Sequence, residues 1–259
     1  MKLGIVVPLK SKTVSKNWQA VCRALFSTLE SIKNQTNSNY QVIVVGHECP
    51  DAFDKYQSDK IDFLSVSFPP PDKSSPTFSH KDYLSDKNQK INLGVKYLKQ
   101  TSSHIDFWFQ LDSDDLMSKN FIAEIAKYPE SSGFIIDSGY LYYQQQCRII
   151  YENNLTLYCG STSVIADKYM PTPELVTPEN VSQIPWCRIP HMHIAKYFDE
   201  ELKHPAVKFE IPLLAYVLSH GDNISDGWRN SKLKMLKAYL KPYIKGKRID
   251  KRFLQEYAQ

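Results

Sequence analysis

One stretch of sequence decides the fold: Phe107-Trp108-Phe109-Gln110-Leu111-Asp112-Ser113-Asp114-Asp115. Aromatic residues favour strands, so residues 107–111 predict a buried β-strand. Carboxylates are costly to bury, so this strand should end at water or at a cation. In extended backbone Asp112 and Asp114 share a face, and such a pair suits a hard divalent ion that bridges to phosphate. The simpler interpretation is a solvated acidic turn, with Asp115 capping the helix predicted to follow.

Apolar runs rich in β-branched residues alternate with helical patterns before this stretch. We predict strands at residues 3–9, 40–45 and 61–66, and helices at 18–32 and 86–100. Four prolines and several serines between residues 68 and 86 predict a long loop. Strand and helix in alternation predict βαβ units, and hence an α/β fold with a parallel sheet covered on both sides.

The second half of the chain is again rich in β-like runs. Strands are predicted at residues 133–138, 140–144, 148–151 and 158–166, after a helix at 121–128. We expect them to extend the first sheet into a mixed one.

Polar side chains follow three of the predicted parallel strands. Ligands of such sheets bind at the carboxyl ends of the strands. Those ends carry Lys10 and Lys12, His47 and Glu48, and Asp112 and Asp114. Basic residues beside acids that can hold a cation predict a phosphate-bearing ligand with a metal.

Composition excludes several classes of protein. The 42% hydrophobic and 23% charged residues are ordinary for a globular chain. A net charge of +4 is too mild to indicate nucleic acid as a partner. The five cysteines lack metal-ligand spacing, no apolar run approaches the roughly 20 residues of a membrane span, and no signal-peptide pattern opens the chain. We therefore expect reduced thiols and a cytoplasmic location.

The C-terminal segment is basic and has a helical pattern from Ser231. Its apolar stripe comprises Leu233, Leu236, Leu240, Tyr243 and Ile244, among many lysines. Two interpretations stay open. The helix contacts an anionic membrane surface at the inner face of a membrane, or it packs on the domain with a solvated lysine face.

Taken in chain order, these motifs resemble the GT-A fold glycosyltransferases, and among them the family 2 kind. Asp112-Ser113-Asp114 looks like their DxD motif. In that family the motif binds Mn²⁺ or Mg²⁺ and, through the ion, the diphosphate of a nucleotide sugar. Residues 217–225 look like the family's late histidine-containing segment, which makes His220 a metal ligand or phosphate contact. The alternative for His220 is a structural histidine that caps a turn.

The chain departs from the family pattern in three places. The acidic run after the second strand is missing, which leaves Glu48 to contact the base. The family's Arg-Asn-x-Gly aligns with residues 91–94, which lack the arginine, so Lys87 or Lys90 would supply the charge. No acid occupies the position of the family's catalytic base. Candidates for that base are His191, His193, Asp199, Glu200, Glu201 and Asp137, of which we select His191 because imidazole titrates near neutral pH.

The resemblance implies a Rossmann-like GT-A fold, with a central mixed, mostly parallel sheet flanked by helices. We expect one domain, comprising a nucleotide-sugar-binding half (1–115), an acceptor-binding half (116–228) and a basic C-terminal helix (229–259). The metal ligands would be Asp112, Asp114 and His220. The donor would contact Pro8, Lys10, Glu48, Lys87, Lys90, Asp112, Ser113, Gly160 and Ser161.

The implied activity is metal-dependent transfer of a sugar to a glycan or lipid-linked acceptor, as in polysaccharide biosynthesis. By family frequency the donor is a UDP-sugar. Two alternatives remain. One is a sugar nucleotidyltransferase, although its glycine-rich loop is absent after the first strand. The other is a non-catalytic nucleotide- or carbohydrate-binding protein, which the missing acidic base would favour.

Overall fold

The computed structural model describes residues 1–218 and 232–257, without the side chains of 232–236 and 238. The strands are β1 Leu3–Pro8, β2 Tyr40–Gly46, β3 Ile61–Ser65, β4 Phe107–Gln110, β5 Leu116–Met117, β6 Gly133–Ile136, β7 Gly139–Tyr143, β8 Arg148–Glu152, β9 Ser163–Ala166, β10 Val207–Phe209, β11 Leu214–Leu218 and β12 Lys247–Arg248. The α-helices are α1 Trp18–Lys33, α2 His80–Thr101, α3 Phe121–Ile125, α4 Pro185–Arg188, α5 Ile194–Lys196, α6 Lys232–Lys245 and α7 Lys251–Tyr257.

A seven-stranded sheet forms the centre of the molecule, in the order β10-β6-β9-β4-β1-β2-β3. The strands β1 to β4 are mutually parallel where they pair, and β10 is parallel to β6. Only β9 runs against its neighbours β4 and β6. The predicted fold class is therefore confirmed, since this is the mixed, mostly parallel α/β architecture that the GT-A resemblance implies.

The central strands are mostly apolar because both faces of the sheet are covered. On β1, Leu3, Ile5 and Val7 join one buried cluster with the inner face of α1. Val6 points the other way and joins a second cluster with Ile91, Val95 and Leu98 of α2. A parallel strand buried on both faces reads as a continuous hydrophobic run rather than an alternating one.

The expectation that the later strands all extend the first sheet is wrong. Of these strands, β6 and β9 join it, and β9 begins at Ser163 rather than at residue 158. The hairpin of β7 and β8 belongs to a second sheet, ordered β12-β8-β7-β11-β5. There β7 pairs with β11, more than 70 residues later in the chain. Local sequence carries no signal for a pairing over such a distance.

Helix α2 begins earlier than the sequence pattern indicated, at His80 rather than near residue 86. Ser79 and Asp82 form a reciprocal capping box at its start. The helix therefore extends into the segment that was predicted to be loop. None of the helices in the described ranges is long and apolar enough to cross a bilayer.

Gly94 allows α2 to lie close against the sheet. A Cβ atom on Gly94 would stand 2.5 Å from Val6 Cγ1 and 3.0 Å from Val45 Cγ2. Both valines are fully buried in central strands, so neither can move aside cheaply.

We predict that Gly94→Ala lowers the free energy of unfolding by about 1–2 kcal/mol, because overpacking outweighs the gain in helix propensity. Thermal denaturation should show a decrease in Tm of roughly 2–8 °C. Gly160→Ala is the matched control, since its Cβ would lie 3.4 Å from the nearest atom. Equal Tm values for Gly94→Ala and the unmodified chain would contradict this packing argument.

Candidate active site

The order of strands creates a switch point between β1 and β4. From β1 the chain adds β2 and then β3 on one side, and β4 then pairs with the other side of β1. Ligands of open α/β sheets bind in the crevice at such a point, beyond the carboxyl ends of the strands. Here Leu9, Lys10 and Ser11 follow β1, and Leu111 and Asp112 follow β4.

Residues Asp112 to Asp115 form a turn rather than an extension of the strand. The Asp115 amide donates to the Asp112 carbonyl at 3.1 Å. The expectation that Asp112 and Asp114 share a face of extended backbone is therefore wrong, because β4 already ends at Gln110. The turn nevertheless keeps both half-buried carboxylates at the end of β4.

Asp112 forms an ion pair with Lys87 of α2. Lys87 Nζ lies 2.6 Å from Asp112 Oδ1, and Gln110 Nε2 donates to the same oxygen at 2.7 Å. The two charged side chains remain 31% and 25% exposed, so a ligand can reach them. Desolvation lowers the pKa of Lys87, but the carboxylates of Asp112, Asp114 and Asp115 together outweigh it and raise that pKa above its usual value.

Gly160 and Ser161 lie against this ion pair. The Asp112 amide donates to Ser161 Oγ at 2.9 Å. A Cβ atom at Gly160 would stand 3.4 Å from Asp112 Oδ2 and 3.6 Å from Lys87 Nζ. Four of the predicted donor contacts, Lys87, Asp112, Gly160 and Ser161, are thus brought together, and the glycine places no side chain beside the charges.

Asp115 is fully buried and does not cap a helix, which corrects the prediction, since β5 follows it. Its carboxyl group accepts from Ser161 Oγ at 2.8 Å, from Cys159 Sγ at 3.2 Å and from the Val217 amide at 3.3 Å. Burial, followed by repulsion from Asp114 and Asp112, raises the pKa of Asp115 well above its usual value. Asp115 therefore links the acidic turn to β11 and to the segment before β9.

Lys90 has a structural role in place of the phosphate contact that the sequence predicted. Its side chain is 1% exposed, and Nζ donates to the Leu9 carbonyl at 2.9 Å and to Asp86 Oδ2 at 2.6 Å. Burial lowers the pKa of Lys90. The expectation that Lys90 contacts the donor is corrected, because its ammonium is enclosed by protein acceptors.

The remaining predicted donor contacts lie at the neighbouring strand ends. Glu48 accepts from Ser11 Oγ at 3.2 Å and from the Lys12 amide at 3.0 Å, so it braces the loop after β1. Pro8 is the last residue of β1 and is buried. Lys10 and Ser113 are half-buried just beyond β1 and β4.

His191 lies in a 3-10 turn and is anchored through one ring nitrogen. Its Nδ1 is 2.5 Å from the Thr156 carbonyl, and Thr156 Oγ1 donates to Asp137 Oδ1 at 2.8 Å. A carbonyl oxygen only accepts, so this geometry assigns the proton of a neutral ring to Nδ1 and leaves Nε2 able to take one. Thr156 precedes Gly160 by four residues, which connects His191 to the segment beside Asp112.

The metal assignment rests on the two half-buried acids of the turn. Within residues 1–218 and 232–257, no group of three or more His, Cys, Asp or Glu side chains is arranged to hold an ion. The third predicted ligand, His220, lies outside the described residues. Mg²⁺ is commonly held by one or two carboxylates together with substrate phosphates and water, so Asp112 and Asp114 suit an ion that arrives with a diphosphate.

Sequence reasoning missed several residues that shape this site. Gln110, Cys159 and Thr156 hold Asp112, Asp115 and His191, and no local pattern marks them. The ion pair between Asp86 and Lys90 could have been predicted, because the two residues are four apart on a predicted helix.

Comparison with known proteins gives general likenesses of fold. No protein-family model matches the chain, and no curated protein matches it significantly. TarS 1–349 of S. aureus is 12% identical with a TM-score of 0.46, covering 84% of this chain and 60% of that one. Mannosyltransferase PcManGT from Pyrobaculum calidifontis, in complex with GDP-Man and Mn²⁺, is 10% identical with a TM-score of 0.45, covering 94% and 63%. A 4-diphosphocytidyl-2C-methyl-D-erythritol synthase is 12% identical with a TM-score of 0.42, covering 91% and 98%. The chain thus spans less than two thirds of the first two structures.

We predict losses of stability of very different size for two lysines that lie one helical turn apart. Lys90→Met should lower the free energy of unfolding by about 3–5 kcal/mol, because it leaves the buried Asp86 carboxylate without its cation. Lys87→Met should cost less than about 1 kcal/mol, because its ion pair is partly solvated. Urea denaturation of both variants measures the difference, and equal losses of stability would refute the distinction.

Proposed function

We propose that the chain is a glycosyltransferase that moves a sugar from a nucleotide-diphosphate donor to a glycan or lipid-linked acceptor. One observation carries the proposal. A solvent-accessible Lys87–Asp112 pair lies beside Gly160 at the switch point of a mostly parallel sheet. Such a crevice is where nucleotide-type ligands bind in this architecture.

The charges of the site suit a departing diphosphate. The Lys87 ammonium donates to phosphate oxygens and offsets the negative charge that develops on the leaving group. Asp112 and Asp114 are the residues that would hold Mn²⁺ or Mg²⁺, and the bound ion supplies Lewis-acid stabilisation of the same charge. Because Gly160 has no side chain, the donor sugar can approach its backbone closely. We propose UDP as the nucleotide of the sugar donor.

His191 is the proposed general base. With Nδ1 donating to the Thr156 carbonyl, Nε2 is the atom that removes the proton from the acceptor hydroxyl. Asp137 accepts a hydrogen bond from Thr156 Oγ1 and so holds the residue whose carbonyl anchors His191. The division into a donor half (1–115) and an acceptor half (116–228) stays a prediction.

Nucleotide binding tests the donor site. With Mn²⁺ present, UDP at 100 times its Kd should stabilise the folded chain by about 2.7 kcal/mol, seen as a rise in Tm. Lys87→Met and Asp112→Asn should reduce or abolish that rise. Asp59→Asn, at an exposed acid just before β3 and so at the opposite edge of the sheet, is the control and should keep it. The donor-site proposal fails if UDP, GDP and CDP all leave the Tm unchanged.

A second measurement separates an enzyme from a binding protein. Release of free nucleotide from a panel of nucleotide sugars should require Mn²⁺ or Mg²⁺ and should be lost in Asp114→Asn. Nucleotide binding without release from any sugar donor, with and without glycan acceptors, would favour the non-catalytic alternative. Pyrophosphate release from a nucleoside triphosphate and a sugar phosphate would instead favour a nucleotidyltransferase.

We predict that His191→Gln slows sugar transfer by about 10²–10⁴-fold, the usual contribution of a general base, while the Kd for UDP stays unchanged. His193→Gln, an exposed histidine of the same turn, is the matched control and should retain nearly full activity. Full activity of His191→Gln together with a loss in Asp137→Asn would transfer the role of base to Asp137.

A further inference from the structure

The second half of α6 exposes large apolar side chains, although the ring of Tyr243 also packs against the Arg148 guanidinium of β8 at 5.1 Å. Tyr239, Leu240, Tyr243 and Ile244 are 57%, 39%, 46% and 76% exposed. Residues spaced i, i+1, i+4 and i+5 lie on one side of a helix, and the buried Pro242 lies on the opposite side. Four large apolar side chains grouped at the surface indicate a binding surface rather than scattered exposure.

Basic side chains flank this apolar group. Lys237, Lys241 and Lys245 recur every four residues and form a stripe next to it. The chain continues with four more basic residues, all exposed: Lys247, Arg248, Lys251 and Arg252. Asp250 is the one acid between residues 237 and 252.

The same helix contacts the segment beside the candidate site. Lys241 Nζ lies 5.2 Å from the centre of the Tyr158 ring, and Tyr158 precedes Gly160 by two residues. Next to it, Leu157 is 55% exposed. Met192, which follows the proposed base, is 47% exposed. Exposed apolar side chains therefore extend from α6 to the rim of the candidate site.

We propose that α6 docks the protein on an anionic lipid bilayer. We call the contacting surface the α6 face, comprising Tyr239, Leu240, Tyr243 and Ile244 with Lys237, Lys241 and Lys245. Its apolar side chains enter the interfacial region, tyrosines are favoured at that depth, and the lysines reach outward to lipid phosphates. Because Lys241 contacts Tyr158, docking also holds the site near the membrane. If the proposed function is correct, the acceptor is a lipid-linked glycan rather than a soluble one.

Vesicle co-sedimentation of the full chain, with no donor or metal added, tests the docking. The protein should pellet with vesicles of roughly three parts phosphatidylcholine to one part phosphatidylglycerol, and much less with phosphatidylcholine alone. Binding should weaken as salt is raised. Lys237→Glu/Lys245→Glu should bind at least about 30-fold more weakly, from the contribution of each lysine near an anionic surface. Leu240→Ser/Ile244→Ser should also lose binding, although it keeps every charge.

Matched variants control for charge and hydrophobicity. Lys55→Glu/Lys196→Glu makes the same change of charge at exposed lysines elsewhere, and Leu175→Ser removes an apolar side chain that is 61% exposed. Both should bind vesicles like the unmodified chain, and all variants should show the same circular dichroism spectrum.

Three outcomes would overturn the proposal. They are no pelleting of the unmodified chain with anionic vesicles, equal losses in the control variants, and a gel shift with single-stranded RNA in the absence of vesicle binding. The last would make the α6 face a nucleic-acid surface. The docking proposal and the proposed function are tested independently. Vesicle binding is measured without a sugar donor, and nucleotide release is measured without vesicles.

Discussion

The buried ammonium of Lys90 is the interaction on which the candidate site depends. It joins the carbonyl at the end of β1 to Asp86 on α2, so the helix is fixed to the carboxyl edge of the sheet. Gly94, one turn further along, removes the side chain that would hold the helix away from Val6. With α2 fixed at this depth, Lys87 comes within 2.6 Å of Asp112 at the end of β4. The buried Lys90 thus fixes the position of the solvent-accessible Lys87.

The acids of a single short turn have different environments and therefore different chemistry. Asp112 is half-buried and paired with a lysine, and Asp114 is half-buried at the same strand end. Asp115 lies in the interior, where hydroxyl, thiol and amide groups replace water. Burial raises the pKa of Asp115 and so favours its protonated form, whereas Asp112 is partly solvated and paired with the Lys87 ammonium. Two acids of one turn, three residues apart, can thus serve one as a structural group and the other as a group that a ligand can reach.

Much of the fold was predictable because its signals are local. Strands β1, β2 and β4 are continuous apolar runs, and helices α1 and α2 show apolar residues at helical spacing, so their positions follow from the sequence. The second sheet was not predictable, since β7 pairs with β11 across a long separation in the chain. At the site, the grouping of Lys87, Asp112, Gly160 and Ser161 was expected from the motif, whereas the burial of Lys90 was not. Lys87 and Lys90 have the same chemistry. They differ in position, because Lys90 lies on the side of α2 that meets the sheet.

The sequence by itself determined the α/β class and the position of the acidic turn at a strand end, because hydrophobic periodicity and abrupt polarity are properties of neighbouring residues. Only the tertiary structure decided which acid faces inward, which lysine meets Asp112, and which nitrogen of His191 is held. Each of these depends on groups far apart in the chain, such as Ser161 against Asp115 and Thr156 against His191. It also decided that the apolar side of α6 faces outward, because an amphipathic pattern shows that a helix has an apolar side but not what that side contacts.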